Sequence, residues 1–334
     1  MHSSGSTQCY GKRAGGVAIL KLTAINLAGG HFSLPPPISL QCTSAYDIPA
    51  DGFEGVFPAQ QLYGCGELTA LTMELEGKTM FDGLIDEQVL SKNGKGEFLT
   101  LKARSRAAVL IDNEAIPQTF YRANLWDIYN AHCKQYGFRG LLCDRNPTLS
   151  AFTVPKGRSE WQALESFCRQ TLGVMPYISD GYIAARKRPT GQRMILSNSV
   201  AGGARFSALQ VCNKRYGVIS KVILKSDSKL YDTAVYNPSS EQLAIRRKRY
   251  ISPPKEWAGD PRTGADRLMR DSMLKKLLVT ATLPGLTAVS VGDRVSIEDE
   301  VAHYNDLAVY EVTYRADSTG YATTLALVLP DYVS

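Results

Sequence analysis

Two aspartates four residues apart, Asp82 and Asp86 in "FDGLIDEQ", are the first residues whose type and spacing suggest chemistry. A carboxylate pair hydrolyses glycosides when one member donates a proton and the other attacks or activates water, across roughly 5 to 9.5 Å. Strand alternation puts both aspartates on one face, but four strand residues span roughly 13 Å, so either would need a further acid. Alternating acids also do nothing more than solvate a surface strand, and that reading is the simpler one here.

The other candidates are weaker. Glu298, Asp299 and Glu300 are adjacent, without the alternating ligand spacing of a calcium loop. His2, His31, His132 and His303 are scattered singly, and helix neighbours such as His132 and Cys133 point about 100° apart, which argues against a Cys/His dyad. Seven cysteines form no C-x-x-C pair and no zinc-like cluster, and the expectation is reduced, mostly buried thiols without metal or disulfides. Nucleophile-elbow, zincin, Walker and dinucleotide signatures are missing, and "YGCGELT" leads into a strand rather than a helix. The sequence implies no catalytic residue and no cofactor.

The strongest charge feature is "IRRKRY", with Arg246, Arg247, Lys248 and Arg249. Four adjacent cations suit nucleic acid phosphates or an acidic protein surface, although in a strand they alternate faces and only half address one ligand. An exposed edge that resists aggregation is the plainer account. The net charge of +6, from 38 basic and 32 acidic residues, is spread too thinly to mark a dedicated nucleic-acid binder. No run approaches the roughly 18 apolar residues of a membrane span. The start, "MHSSGSTQCYGKRAGG", lacks the apolar core of a signal peptide, so folding in the cytoplasm is expected.

The elements that position these residues divide the chain in three. With 44% apolar residues over 334, it is long enough for several cores. Residues 1–110 read as β: "VAILKL", a rigid "LPPPISL", then "ELTALTMELEG" with Leu71, Met73 and Leu75 on one face. A hairpin follows, with Phe81, Gly83, Ile85 and Val89 predicted on one face and Asp82, Leu84, Asp86 and Gln88 on the other. Asn93 and Gly94 are expected to supply the positive φ of its turn, with Lys95-Gly96 allowing a longer loop.

Residues 111–200 read as an α/β module with two amphipathic helices. One runs from Asn124 through Leu125, Ile128, Tyr129 and Tyr136 to a stop at Gly137. The other opens on the capping box Ser159-x-x-Gln162 and buries Trp161, Leu164, Phe167, Cys168 and Leu172 before Gly173. A hairpin turning at Asp180-Gly181 closes the module. In residues 201–334 a helix is expected near 263–278, then a strand in "VSVGDRVSI", which contains Gly292 and Asp293, and a second hairpin through Tyr310, Gly320 and Leu327. Strand, turn and hairpin recur in the order of residues 66–103. The predicted fold is α+β, mainly β: two related small β-barrel domains with an α/β module between them.

"MFDGLIDEQ", "LTLKARSRAAVLIDNEA", "VPKGRSEWQALESFCRQTLGVMPYISDGYIAARKR", "VSVGDRVSI" and "YEVTYRADSTGYATTLALVL" carry, in their order and spacing, a resemblance to the baseplate hub proteins of contractile phage tails and prophage tail-like particles, the class of the PBSX-type hub. The resemblance implies a homotrimer whose six barrels match a sixfold tail tube on one side and a threefold central spike on the other, with other baseplate or tape-measure components as neighbours. It implies assembly in the bacterial host cytoplasm and residence in the particle's baseplate. Asp82, Asp86, Arg104 and the 246–249 run become candidate rim or interface groups. Two alternatives stay open: a tail-associated peptidoglycan-degrading enzyme using the acids, and a nucleic-acid-binding module using Arg246 to Arg249.

Overall fold

The computed structural model describes residues 9–13, 16–254 and 261–333. His2 lies outside the described residues. The first segment is β: β1 (Cys9–Arg13), β2 (Gly16–Asn26), β3 (His31–Ser33), β4 (Ser39–Ala45), β5 (Gly52–Pro58), β6 (Leu68–Leu75), β7 (Lys78–Asn93) and β8 (Gly96–Ser105). Leu71, Met73 and Leu75 are buried at the two-residue period expected of them. The proline run falls between β3 and β4, where no ladder needs its missing N–H groups.

The middle segment holds α1 (Ala108–Asp112), β9 (Gln118–Asn124), α2 (Leu125–His132), β10 (Leu141–Cys143), β11 (Thr148–Val154), α3 (Glu160–Thr171), β12 (Tyr177–Ser179) and β13 (Tyr182–Ala185). Helices α2 and α3 start on capping boxes. Asn124 accepts from the Trp126 and Asp127 amides while Asp127 accepts from Asn124, and Ser159 and Gln162 satisfy each other's backbone N–H in the same way. The stripe Trp161, Leu164, Phe167 and Cys168 is fully covered, with Phe167 edge-on to Phe152 at 5.2 Å. Asp180 and Gly181 both have positive φ, which a two-residue turn between β12 and β13 requires.

The last segment holds β14 (Arg193–Leu196), β15 (Ala208–Asn213), β16 (Lys221–Lys225), β17 (Tyr231–Tyr236), α4 (Pro238–Gln242), β18 (Lys248–Ile251), α5 (Pro261–Leu274), β19 (Leu277–Pro284), β20 (Arg294–Glu298), β21 (His303–Asp317) and β22 (Gly320–Val328). The helix expected near 263–278 is α5, but it ends at Leu274. Leu277 opens β19, where Leu277, Val279, Ala281 and Leu283 are buried alternately; the strand period wins over a helical reading of Leu277 and Leu278. Strands β16 to β18 and α5 enclose a small core of their own around Val222, Leu224, Ala265 and Met269.

Among the described residues, fourteen strands from the first and last segments join in one sheet. The order β4-β5-β8-β7-β6 in the first segment is matched by β15-β19-β22-β21-β20 in the last. The match extends to register. Ala70 pairs with Leu84 as Arg294 pairs with Ala308; Ile85 pairs with Ala103 as Val309 pairs with Leu327; Asn93 pairs with Gly96 as Asp317 pairs with Gly320. A constant offset of 224 residues relates β6–β8 to β20–β22. Each hairpin also carries a β-bulge at the same place, at Asp86 in one and Tyr310 in the other. The expected repeat is therefore present at the level of hydrogen-bond register, where sequence identity is slight. The two sets are joined by β4, which pairs antiparallel with β21, and their side chains form one continuous core.

The bulge corrects the predicted faces of the first hairpin. An extra residue at Asp86 reverses the alternation beyond it. Val89 therefore leaves the face of Phe81 and is 41% exposed, whereas Gln88 turns inward to accept from the Leu68 amide and donate to the Gly66 carbonyl. The turn differs as well. Its central residues are Gly94 and Lys95, and Gly96, not Asn93 or Gly94, has the positive φ. Asn93 instead accepts the Lys95 amide at 2.8 Å, the Asx arrangement that suits a turn opening on Asn and ending on Gly.

Candidate assembly surfaces

Arginine side chains hold both Asp82 and Asp86. Arg104 on β8 forks onto both oxygens of Asp86, at 2.7 and 2.9 Å, and onto both oxygens of Asp112 at the end of α1, at 2.9 and 2.7 Å. Arg106 binds Asp82 at 2.7 Å. The pairing holds Asp112 below the usual carboxylate range and raises Arg104 further. A general acid needs the opposite, a carboxyl kept protonated by burial. These groups form a half-exposed ionic strip that ties β7 and β8 to α1.

Glycine and aspartate at the other singled-out positions shape the sheet. A Cβ on Gly83 would lie 2.3 Å from the Arg104 carbonyl oxygen and 2.6 Å from the Phe81 ring, so the ring lies across the glycine while β8 closes in. Phe81 also packs 5.5 Å from Phe53. Asp293, 6% exposed, accepts the Gln192 and Ser290 amides, and Gly292 at φ +95° donates to the Val309 carbonyl. That corner pins β14 alongside β20.

The 246–249 run lies only half in a strand, since Arg246 and Arg247 precede β18 and Lys248 and Arg249 at its start are both exposed rather than alternating. Arg247 fixes the backbone by exchanging hydrogen bonds with Ser220, while Arg246, Lys248 and Arg249 are exposed. Lys248 lies over the Tyr250 ring at 5.5 Å. The four cations do not converge on one point of β18.

One buried and one half-buried polar cluster have no sequence signature. His132, at the end of α2, meets Glu160, the first residue of α3, through Nδ1 at 2.5 Å; Tyr136 and Gln135 donate to the same carboxylate at 3.1 and 3.3 Å. Desolvation, then the nearby Glu160 charge, raises the Tyr136 hydroxyl. Arg188 sits over Tyr177 at 4.3 Å and beside Tyr46 at 5.6 Å, in the wall of a groove of about 1040 Å³ where the three segments meet. Of the thiols, Cys42, Cys65, Cys133 and Cys168 are buried, and burial pushes Cys168 up to about 12. Among the described residues no group of acids, histidines and cysteines could hold a metal ion, and no helix is long and apolar enough to cross a membrane.

Two strand edges are left unused. Among the described residues, no strand pairs with β15 on the side away from β19, or with residues 87–93 of β7 on the side away from β8. Leu90 is 64% exposed there, and Leu209, Val211 and Cys212 are half-buried. Long bare edges of this kind are uncommon in proteins that act alone, because their N–H and C=O rows template pairing with another chain.

The repeated antiparallel sets, joined through β4 and β21 around an α/β module, make a fold that is also seen in solved phage tail proteins. The tail protein from Neisseria meningitidis MC58 has a TM-score of 0.75 to this chain at 18% identity, covering 94% of this chain and 98% of that one. The 43 kDa tail protein of prophage MuSo2 from Shewanella oneidensis scores 0.74 at 15% identity over 94% and 97%. The E. coli c3393 protein, a component of the type VI secretion system with structural similarity to T4 bacteriophage tail proteins gp27 and gp5, scores 0.60 at 10% identity over 92% and 76%. No family model matches the sequence, and no curated protein matches it.

Proposed function

We propose that the protein is a non-enzymatic structural hub of a contractile tail or related injection particle, a homotrimer that joins a sixfold tail tube to a threefold central spike. Residues 1–110 and 201–334 supply the two sheet units, with β14 (Arg193–Leu196) joining the second from across its boundary, and the rest of 111–200 is the α/β module between them. The observation that carries this reading is the repeat in register: one chain holds two sheet units of the same strand order, so three chains present six. The units share their central meander but differ beside it, since β2 joins β6 antiparallel whereas β14 joins β20 parallel. A ring of such chains is close to sixfold along the meanders and threefold at their flanks, which is the property an adaptor between two symmetries needs. The solved tail proteins of the same fold support the reading.

The hub assembles in the host cytoplasm and then occupies the baseplate, in contact with tube, spike and neighbouring baseplate or tape-measure components. Asp82, Asp86, Arg104 and the 246–249 run serve as rim or contact groups. Image reconstruction of the assembled particle tests the proposal: three copies between tube and spike are expected, and a particle without this chain at that junction overturns it.

A further inference from the structure

We infer that β15 of one molecule pairs antiparallel with residues 87–92 of β7 in the next, in the register that β4 and β21 already use within the chain. The inference rests on the hub reading only for the number of copies; the pairing itself follows from the repeat.

Within the chain, Val312 pairs with Ser44, Thr313 with Thr43, Tyr314 with Cys42, Arg315 with Gln41 and Ala316 with Leu40. The counterparts of 312–316 are residues 88–92, by the same 224-residue offset that the hairpins show. The counterpart of β4 is β15, because Cys42 reaches Ala103 through Phe53 as Val211 reaches Leu327 through Val279. Carrying the ladder across pairs Gln88 with Asn213, Val89 with Cys212, Leu90 with Val211, Ser91 with Gln210 and Lys92 with Leu209.

Burial supports the same match. In the internal ladder Leu40, Cys42, Val312, Tyr314 and Ala316 are at most 3–4% exposed, because the junction covers them. Leu90, the counterpart of Tyr314, is 64% exposed, and Leu209 and Val211, the counterparts of Leu40 and Cys42, are half-buried. One step further along the register, Glu87, whose carboxylate already accepts from Lys102 at 3.0 Å, comes opposite Lys214. The pairing would cover Leu90 on one bare edge and Leu209 and Val211 on the other, and the two edges of the same molecule match in register. Because the two edges differ, the contact is head-to-tail, and it makes a closed ring when the angle allows.

The position of Cys212 makes the register testable. In the internal ladder the hydroxyls of Thr43 and Thr313, its counterpart pair, are 3.1 Å apart, so Val89 and Cys212 come into side-chain contact across the interface. In full-length Val89→Cys protein, mild oxidation is expected to join molecules through a 89–212 disulfide, seen on non-reducing gels and assigned by peptide mass spectrometry. The bond should vanish in Val89→Cys/Cys212→Ser. It should also be lacking in Leu90→Cys, which points to the other face of the sheet. A 89–212 bond in covalent trimers upholds both readings. The same bond in open-ended ladders upholds the strand pairing and overturns the three-copy hub. Oligomers by light scattering without this bond, or monomers without it at every concentration, overturn the pairing.

Discussion

Asn93 and Asp317 make the same turn at the tips of the two long hairpins. Each side-chain oxygen accepts the amide two residues ahead at 2.8 Å, and each residue pairs with a glycine of positive φ, Gly96 or Gly320. A side-chain oxygen at the first turn position and a glycine at the last fix loop length, and loop length fixes register. The bulges at Asp86 and Tyr310 therefore fall at equivalent places, although the two residues share no chemistry.

Gly96→Ala and Gly320→Ala are expected to destabilise by about 1 kcal/mol each, since both glycines have φ values that an L-residue rarely adopts. Gly94→Ala faces open space without a positive φ and should stay within about 0.5 kcal/mol of the parent. Urea midpoints of the three variants check this; equal effects would remove the assignment of the turn.

Glu160→Leu is expected to cost about 1–3 kcal/mol, because it strands buried His132 together with the donors of Tyr136 and Gln135. The double variant Glu160→Leu/His132→Leu should recover part of the loss. A double-mutant cycle by thermal denaturation measures the coupling, and additive losses would show that the two side chains act separately.

Arg104 holds Asp112 below the usual carboxylate range, so ionisation of Asp112 favours the folded state. That contribution is fully present above the ordinary value of about 3.9 and is lost as pH falls through the lowered folded value. Asp112 is 52% exposed, which limits the effect to about 1 kcal/mol or less. Asp112→Asn should thus lower the urea midpoint slightly at pH 7, and the gap should shrink on acidification below about pH 4. A gap that persists unchanged in acid would mean that the ion pair is not its source.

With Asp82 and Asp86 both held by arginine, the purified protein is expected to clear no peptidoglycan in a zymogram, and Asp86→Asn should behave identically. Clearing by the parent that disappears in Asp86→Asn would restore the lytic reading.

What the sequence made legible was what local rules govern. Ser159 and Gln162, the Asp180-Gly181 turn and the stop at Gly173 each involve residues within one turn of one another, and they stand where expected, whereas the helix predicted to run to Gly137 ends at His132, and Gly137, at φ +80°, closes a separate 3-10 turn over residues 134–136. The bulge at Asp86 was not legible, because its extra residue is an ordinary aspartate with no conformational signature, and it carried Val89 to the wrong face in the reading. Leu277 and Leu278 misled for a related reason: a short apolar pair following a helical stripe fits either period until its partner strand is known. Contacts made far along the chain were out of reach altogether, such as His132 with Glu160, 28 residues apart, and Thr43 with Thr313, 270 apart.

The ladder between β4 and β21 has a geometric consequence. No flexible linker separates the two sheet units, so their relative angle is not a matter of tether length or of a hinge. It is set by the twist between two hydrogen-bonded neighbours, roughly 20 to 25° per strand, accumulated over the few strands from one unit to the next. A substitution that alters strand twist near Cys42 or Tyr314 would change that angle itself, and with it the curvature of anything built by repeating the step.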